Sequence, residues 1–286
     1  MILSIGEIVW DIIKDQEILG GAPLNVAYHL SRLGQNVRIL SRVGNDVRGK
    51  RSVASLAAME LSDQFIQVDP KLSTGEVVVS FKDNEPSYNI VCPAAWDAIE
   101  KIKGNTQLLD DRLMVVFGTL SQRDQRSRET IRYYAKLAEK AFCDVNLRPP
   151  FTTPALILES LFLADVVKMN HDELDVIVQW SNFSATSLLE KLTAVHTHFE
   201  LEVLCVTRGA NGAILLTPEG TFTHPGFPVD VVDTVGAGDA FFAVLIDGIL
   251  HNLDWPVCLQ RANSLGSLVA THRGATPEYD LTALNW

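Results

Sequence analysis

With 286 residues, 47% of them hydrophobic and 21% charged, the chain can bury a large α/β core and is too apolar for disorder. Its formal net charge of −11 argues against a nucleic-acid groove or an anionic membrane surface as the main partner. Any phosphate ligand must then be held by local groups: backbone N–H, a few arginines and lysines, and a metal ion.

Met1 to Ile5 reads as a short strand ending at Gly6-Glu7, and Met1 to Gly6 has neither the basic n-region nor the apolar core of a signal peptide. Ile8 to Leu19 mixes β-formers with Asp11, Lys14, Asp15, Gln16 and Glu17, as half-exposed strands do. Gly20-Gly21 opens a helix, with Pro23 in its first turn, Val26, Ala27, Leu30 and Leu33 on one face, and Gly34 at its end. Val37 to Val43 is a strand, and a second helix follows the Gly44-Asn45-Asp46 turn up to about Met59. Glu76 to Phe81 and Ser87 to Cys92 flank the polar turn Lys82-Asp83-Asn84-Glu85-Pro86, a candidate hairpin. Together with Ile8 to Leu19 it can form a small second sheet; two ordinary edge strands fit the pattern as well.

From Arg112 onward the rhythm is strand, loop, helix. Strands are expected at Leu113 to Phe117, Phe142 to Val145, Val166 to Met169, Val203 to Val206 and Ala213 to Leu216. Helices are expected at Gln125 to Ala141, around Pro154 to Phe162, at Glu173 to Val178 and at Ser187 to Phe199. Apolar strands without alternation point to a mainly parallel sheet covered by helices on both faces, where ligands bind beyond the strand C-termini. Polar groups cluster there: Gly118-Thr119, Asp144/Asn146/Arg148, Asn170/Glu173 and Thr207/Gly209.

The stretch from Asp230 to Leu250 carries the most chemistry. A β-branched run meets Gly236-Ala237-Gly238, then Asp239, then an apolar helical segment. Glycines allow close backbone approach, and the N–H groups of a helix start carry partial positive charge, which together make an anion cradle. A carboxylate beside such a cradle is what phosphoryl transfer to a hydroxyl needs. A tight turn with Asp239 as helix cap explains the same residues. The apolar run Ala240 to Ile246 stops at Asp247, far short of a bilayer. Cys92, Cys143, Cys205 and Cys258 are scattered without a CxxC pair, which favours reduced thiols; the expectation is a soluble cytoplasmic protein.

Neither GxxxxGK[ST] nor a GxGxxG after the first strand is present, which disfavours P-loop and dinucleotide sites. The chain resembles the ribokinase-like (PfkB) carbohydrate kinases. The resemblance rests on Gly20-Gly21-Ala22-Pro23-Leu24-Asn25-Val26-Ala27, Asn170-His171-Asp172-Glu173 as an NxxE motif, Thr207-Arg208-Gly209-Ala210-Asn211-Gly212, and Asp233-Thr234-Val235-Gly236-Ala237-Gly238-Asp239. These stand in the family's order over nearly the whole chain. Within the family, Ala95-Trp96-Asp97, Phe117-Gly118-Thr119-Leu120-Ser121-Gln122-Arg123 and Asp144-Val145-Asn146-Leu147-Arg148-Pro149 are most similar to fructokinases.

The resemblance implies a three-layer αβα sandwich over residues 1–286, with a β-sheet lid formed by about 8–20 and 74–93. It implies an ATP-dependent sugar kinase, with D-fructose and its 6-hydroxyl as the favoured acceptor. Asp239 would be the base, and the amides of Gly236, Ala237 and Gly238 the anion hole. Asp11, Gly20, Gly21, Asn25 and Arg148 would bind the sugar. Asn146, Asn170, Thr207, Gly209, Asn211, Gly212 and Asn263 would contact ATP. Asn170 and Glu173 would lie near Mg2+, through its water shell. Asp233, with the backbone near Arg273-Gly274-Ala275, resembles a monovalent-cation (K+) site. Asn170 and Glu173 also fit a plain helix capping pair. Exposed lid edges leave room for a homodimer.

Two other functions stay open: the same chemistry on ribose, 2-keto-3-deoxygluconate, a nucleoside or a phosphosugar, and a non-catalytic sugar- or nucleotide-binding protein of the same fold. His171 reads as a surface residue, His196 and His198 as a helix end, and Phe241-Phe242 as core. Trp10, Trp96, Trp180, Trp255 and Trp286 form no stripe and call for no cofactor.

Overall fold

The computed structural model describes residues 1–14, 16–82, 85–104 and 112–284; of the residues discussed above, Asp15, Asp83, Asn84 and Trp286 lie outside these. With strands numbered in chain order, β1 (Ile2–Ile5), β4 (Val37–Gly44), β5 (Ile66–Asp69), β8 (Met114–Gly118), β9 (Lys140–Asp144), β10 (Val166–Asn170) and β11 (Val203–Thr207) pair in parallel. β12 (Ala213–Thr217) and β13 (Gly220–His224) extend the sheet antiparallel, giving the order β13-β12-β11-β10-β9-β8-β1-β4-β5. The central strands are buried on both faces, so they are mostly apolar without alternation, Ser4 in β1 and Lys168 in β10 being buried exceptions.

Helices cover both faces. One core layer joins Ile39, Val116 and Phe142 of the sheet to α1 (Ala22–Arg32), α2 (Val47–Ala58), α7 (Ala237–Leu250) and α8 (Trp255–Ala270) through Leu24, Leu56, Phe242 and Leu259. The other joins Leu3, Ile5 and Phe117 to α3 (Gln125–Leu137), α4 (Pro154–Leu161), α5 (His171–Trp180) and α6 (Leu188–His198) through Ile131, Leu156, Leu174 and Leu192. Helix α7 is apolar on all sides because it is buried on all sides, from Ala240 to Ile249. Its Phe241 and Phe242 lie in the core, and burying one such side chain is worth about 1.5–3 kcal/mol.

A second sheet, ordered β3-β2-β6-β7, is built from β2 (Val9–Ile13), β3 (Gln16–Gly20), β6 (Gly75–Lys82) and β7 (Glu85–Ile90). Alternation splits β2: Trp10 and Asp11 point to opposite faces. Trp10 Nε1 donates to Ser52 Oγ at 3.0 Å, and the Arg51 guanidinium stands 4.1 Å over its ring. Arg48 donates to Glu17 at 2.6 Å and to Glu76 at 2.7 Å, so α2 grips this sheet from one side. Asp11, in register with Ile18 and Val77, faces the other way.

Three sequence expectations need correction. The helix expected over Gln125 to Ala141 ends at Leu137, because the Glu139 N–H goes to the Leu113 carbonyl and Lys140 pairs with Met114, so the sheet captures these residues. The next strand consequently starts at Lys140 and not at Phe142. Strands β5 and β13, at the two ends of the large sheet, were not anticipated.

Candidate active site

The C-terminal ends of β1, β8, β9, β10 and β11 release their chains along one edge of the sheet. The first loop is the tightest. Gly21, at φ 119°, is the N-cap of α1, and a Cβ there would stand 2.3 Å from the Glu7 carbonyl oxygen. A Cβ on Gly20 would come within 3.1 Å of Asp11 Oδ2, so Gly20 lies directly against the Asp11 carboxylate. Asn25, one turn into α1, donates from Nδ2 to Asp239 Oδ2 at 2.8 Å. Residues 214 positions apart are thereby joined at the mouth of α7.

Gly236, at φ 79°, is the N-cap of α7, which places Asp239 in the helix's first turn. The first N–H groups of a helix lack acceptors inside it. Ala237 departs from the expectation of a free amide: its N–H donates to the Thr234 carbonyl at 3.3 Å, closing the turn on itself. Of the three amides expected to face an anion, this one is already bonded within the turn.

Burial pushes the Asp239 carboxyl up to about 7; Asp144 adds to the rise, while Lys168, the Asn25 hydrogen bond and Arg148 oppose it. Asp11 is pushed up to about 6 by burial, against the pull of Arg148. Arg148 itself is exposed, and its Nη1 donates to the Leu147 carbonyl at 3.0 Å. Its charge nonetheless reaches Glu7, Asp11 and Asp239.

The pfkB family carbohydrate kinase pattern matches residues 3–281. The chain is a pfkB family carbohydrate kinase. A sugar kinase of Pyrococcus horikoshii is 32% identical over 98% of this chain and 94% of its own length. The crystal structure of a fructokinase from Vibrio cholerae, in a form with fructose, ADP and calcium ion bound, shares 26% identity with a TM-score of 0.81, covering 96% of this chain and 94% of that one. Aminoimidazole riboside kinase from Salmonella enterica, complexed with aminoimidazole riboside and an ATP analog, shares 25% identity with a TM-score of 0.80, covering 96% and 95%.

Two residues of this pfkB kinase escaped the sequence reading. Lys168, on β10 and 8% exposed, donates from Nζ to Asp144 Oδ2 at 2.8 Å. A Cβ on Gly238 would stand 3.0 Å from that same Nζ, so the ammonium lies against the start of α7. Burial would strip its proton, but the carboxylates of Asp144, Asp239 and Glu173 hold its pKa above the usual lysine value. The second residue is Glu7, 3% exposed, whose Oε2 accepts from Ser121 Oγ at 2.7 Å. Burial raises its pKa, and Ser121, Arg148 and Arg123 oppose the rise. A lysine inside an otherwise apolar strand, two residues before the NxxE motif, was the available signal for the first. Glu7 announced itself only by following Gly6.

The remaining expected residues occupy several settings. Asn170 and Glu173 form a capping box on α5: Asn170 Oδ1 accepts from the Glu173 N–H and Glu173 Oε2 from the Asn170 N–H, both at 2.8 Å. Glu173 Oε1 accepts from the Leu147 N–H at 2.7 Å, so the capping reading describes its present bonds. Asn146 holds the left-handed backbone at φ 42° where the chain leaves β9. Thr207 ends β11, and Gly209 and Asn211 lie on an exposed turn closed by Gly212. Asn263 is 6% exposed and spends its Nδ2 on the Leu259 carbonyl at 2.7 Å. Asp233 accepts from the Val235 N–H at 3.0 Å and the Gly274 N–H at 3.1 Å, which ties the two loops expected to meet.

The chemistry of the donors fits a water-shelled Mg2+ better than a fully ligated one. Among the described residues no cluster of three or more His, Cys, Asp or Glu is arranged to hold a metal. Asp144 Oδ1, by contrast, is buried without a partner near Glu173, an acceptor left for a hydrated cation. Among the described residues no helix is long and apolar enough to cross a membrane.

Proposed function

We propose that this kinase transfers the terminal phosphoryl group of ATP to a sugar hydroxyl, with D-fructose going to fructose 6-phosphate as the favoured reaction. One observation carries the reading. A carboxylate whose pKa is pushed up to about 7 stands between the α1 glycine turn and the α7 amide turn, hydrogen-bonded to the former's helix. A base poised near neutral pH can take a proton from an alcohol and release it after turnover.

In this reading Asp11, Gly20, Gly21, Asn25 and Arg148 hold the sugar, with the Asp11 carboxylate and the Asn25 amide on its hydroxyls. The acceptor oxygen bonds to the terminal phosphorus while the bridging P–O bond breaks, leaving its electron pair on ADP. The hydroxyl proton passes to Asp239. Charge on the transferred oxygens is met by the amides of Gly236 and Gly238 and by the Lys168 ammonium, which need no reorganisation. Asp144 keeps Lys168 charged and in place.

Asn146, Asn170, Thr207, Gly209, Asn211, Gly212 and Asn263 belong to the nucleotide side of this reading. Mg2+ would be held by Asn170, Glu173 and Asp144 through water, and it would neutralise phosphate charge. Asp233 and the 273–275 backbone would take a monovalent cation such as K+; a double mutant of the Vibrio cholerae fructokinase has been solved with potassium ion bound. Residues 1–286 form one catalytic domain in which the smaller sheet acts as a lid that excludes water. A cytoplasmic setting and a homodimer through the lid complete the proposal.

ADP release measured across a sugar panel tests it. Fructose should give the highest kcat/KM, and a ribose or a nucleoside equal to it would move the substrate assignment. Asp239→Ala should abolish turnover while sugar binding persists; turnover at the parent rate would overturn the mechanism.

A further inference from the structure

Helix α1 reaches the chain segment after α8 through three side chains, Tyr28, His29 and Arg32. Tyr28 Oη donates to the Pro277 carbonyl at 3.0 Å, and Arg32 Nη2 to the Tyr279 carbonyl at 3.1 Å. Between them lies His29, fully buried, with Nε2 2.9 Å from the Ala275 carbonyl and Nδ1 2.8 Å from Tyr279 Oη. Full burial disfavours the charged imidazolium, so the ring is neutral. A neutral imidazole has one N–H and one lone pair. The Ala275 carbonyl can only accept, so Nε2 carries the proton, and Nδ1 accepts from the Tyr279 hydroxyl.

Ala275 is the surface on which the amide turn rests. A Cβ on Gly236 would fall 2.4 Å from Ala275 Cα and Cβ and 2.8 Å from its carbonyl oxygen. The same loop is tied from its far side, where Asp233 bridges the Val235 and Gly274 N–H groups and the Ala270 carbonyl accepts from Val232 and Asp233. His29 stands one helical turn beyond Asn25, on the same side of α1. One helix face thus touches both Asp239 and the support of the turn that precedes it.

We infer that His29, held as the Nε2–H tautomer by Tyr279, is a positioning residue for phosphoryl transfer: its bond to the Ala275 carbonyl keeps the Gly236–Gly238 turn in register with Asn25 and Asp239. The inference rests on the reading of that turn as the anion hole. His29 acts through Ala275, so its loss lowers the rate of transfer and leaves sugar affinity alone.

The test compares His29→Asn, His29→Gln, Tyr279→Phe and Asp239→Asn in the full chain, by steady-state kinetics with ATP, Mg2+ and fructose. The amide nitrogen of Gln reaches the place of Nε2, whereas that of Asn falls at the place of Nδ1. His29→Asn should lose about 10- to 100-fold in kcat with the fructose KM within about twofold, the cost of a catalytic group held slightly out of place. His29→Gln should recover most of that loss. Tyr279→Phe, which removes one hydroxyl, should lose several-fold in kcat alone and remains informative if the His29 variants fail to fold. Nitrogen-15 NMR of the parent should show a protonated Nε2 and a bare Nδ1 on His29. An Nδ1–H tautomer, or equal losses in the Asn and Gln variants, would overturn the inference. So would full activity in Tyr279→Phe, or in His29→Asn while Asp239→Asn is dead. If Asp239→Asn itself turns over at the parent rate, the proposed role of Asp239 as base fails first, and with it the proposed function on which this inference rests.

Discussion

Removing the Asn25 amide should move the pH dependence of the enzyme in a direction fixed by the hydrogen bond it makes. Asn25 Nδ2 donates to Asp239 Oδ2 at 2.8 Å, and this bond is one of the influences that lower a carboxyl pushed up to about 7. A hydrogen bond to a charged group is worth about 1.5–3 kcal/mol, and about 1.4 kcal/mol corresponds to one pK unit. Asp239 is half-buried, so solvent will make good part of the loss, and a rise of about one unit is expected in Asn25→Ala. In the proposed mechanism the base acts ionised, so the parent kcat/KM should climb with pH through about 7. The variant's climb should be displaced upward, with its deficit largest at pH 6 and smallest at pH 9. The assay is ADP release at low sugar concentration from pH 5.5 to 9.5. Asn25 also holds the sugar in the proposed mechanism, so the whole curve should drop; the position of the limb is the measurement. A parent profile flat through neutrality, or a limb unmoved in Asn25→Ala, would refute the argument.

The same carboxyl gives a stability prediction with a definite sign. Its folded pKa is raised, so Asp239 favours folding below the ordinary carboxylate range and opposes it once pH rises through about 7. Asp239→Asn should therefore melt higher than the parent at pH 8, with the advantage shrinking by pH 4. Lys168→Met should cost kcat about 100-fold or more by removing charge at the phosphoryl site. It should also cost about 3–5 kcal/mol in urea unfolding by stranding the Asp144 carboxylate, a cost that Asp144→Asn in the same chain should relieve. Gly21→Ala places a methyl 2.3 Å from the Glu7 carbonyl oxygen at φ 119°, and should raise the sugar KM while lowering stability by about 1–3 kcal/mol. Asp97→Ala would leave the Arg123 guanidinium, now bonded at 2.7 and 2.8 Å and stacked 3.8 Å over Trp96, without its counter-charge. Urea unfolding should register about 3–5 kcal/mol.

What could be read from the residues, and what could not, has a physical basis. The glycine turns at 20–21 and 236–238 were legible because their backbone geometry admits few other residues, and both proved to start helices. The central parallel strands were legible because burial on two faces leaves no alternation, whereas β5, parallel but at the sheet edge and only partly buried, was missed. β13 was missed for the same reason: Gly220 to His224 is an edge strand of modest polarity, with exposure alternating along it. The end of α3 was misplaced because Ala138 to Ala141 has good helix propensity, which the Met114–Lys140 pairing overrides. Lys168 was passed over because strand patterns treat a single charge as noise. Only the folded chain shows it against Gly238. The capping box at Asn170 and Glu173 shows how one spacing serves two purposes, since the residues that begin α5 also stand beside Asp144 and Lys168.

Helix α7 is seated between α1 and α8, and its first turn meets Asn25 from the opposite end of the chain. A growing polypeptide therefore has every parallel strand of its large sheet before it reaches the proposed proton acceptor, Asp239. Until position 239 and the helix behind it arrive, the apolar side of α1 lacks the cover that α7 gives it. The C-terminal part of the sequence thus completes both the packing on α1 and the proposed site, so a variant that disrupts it should lose both together.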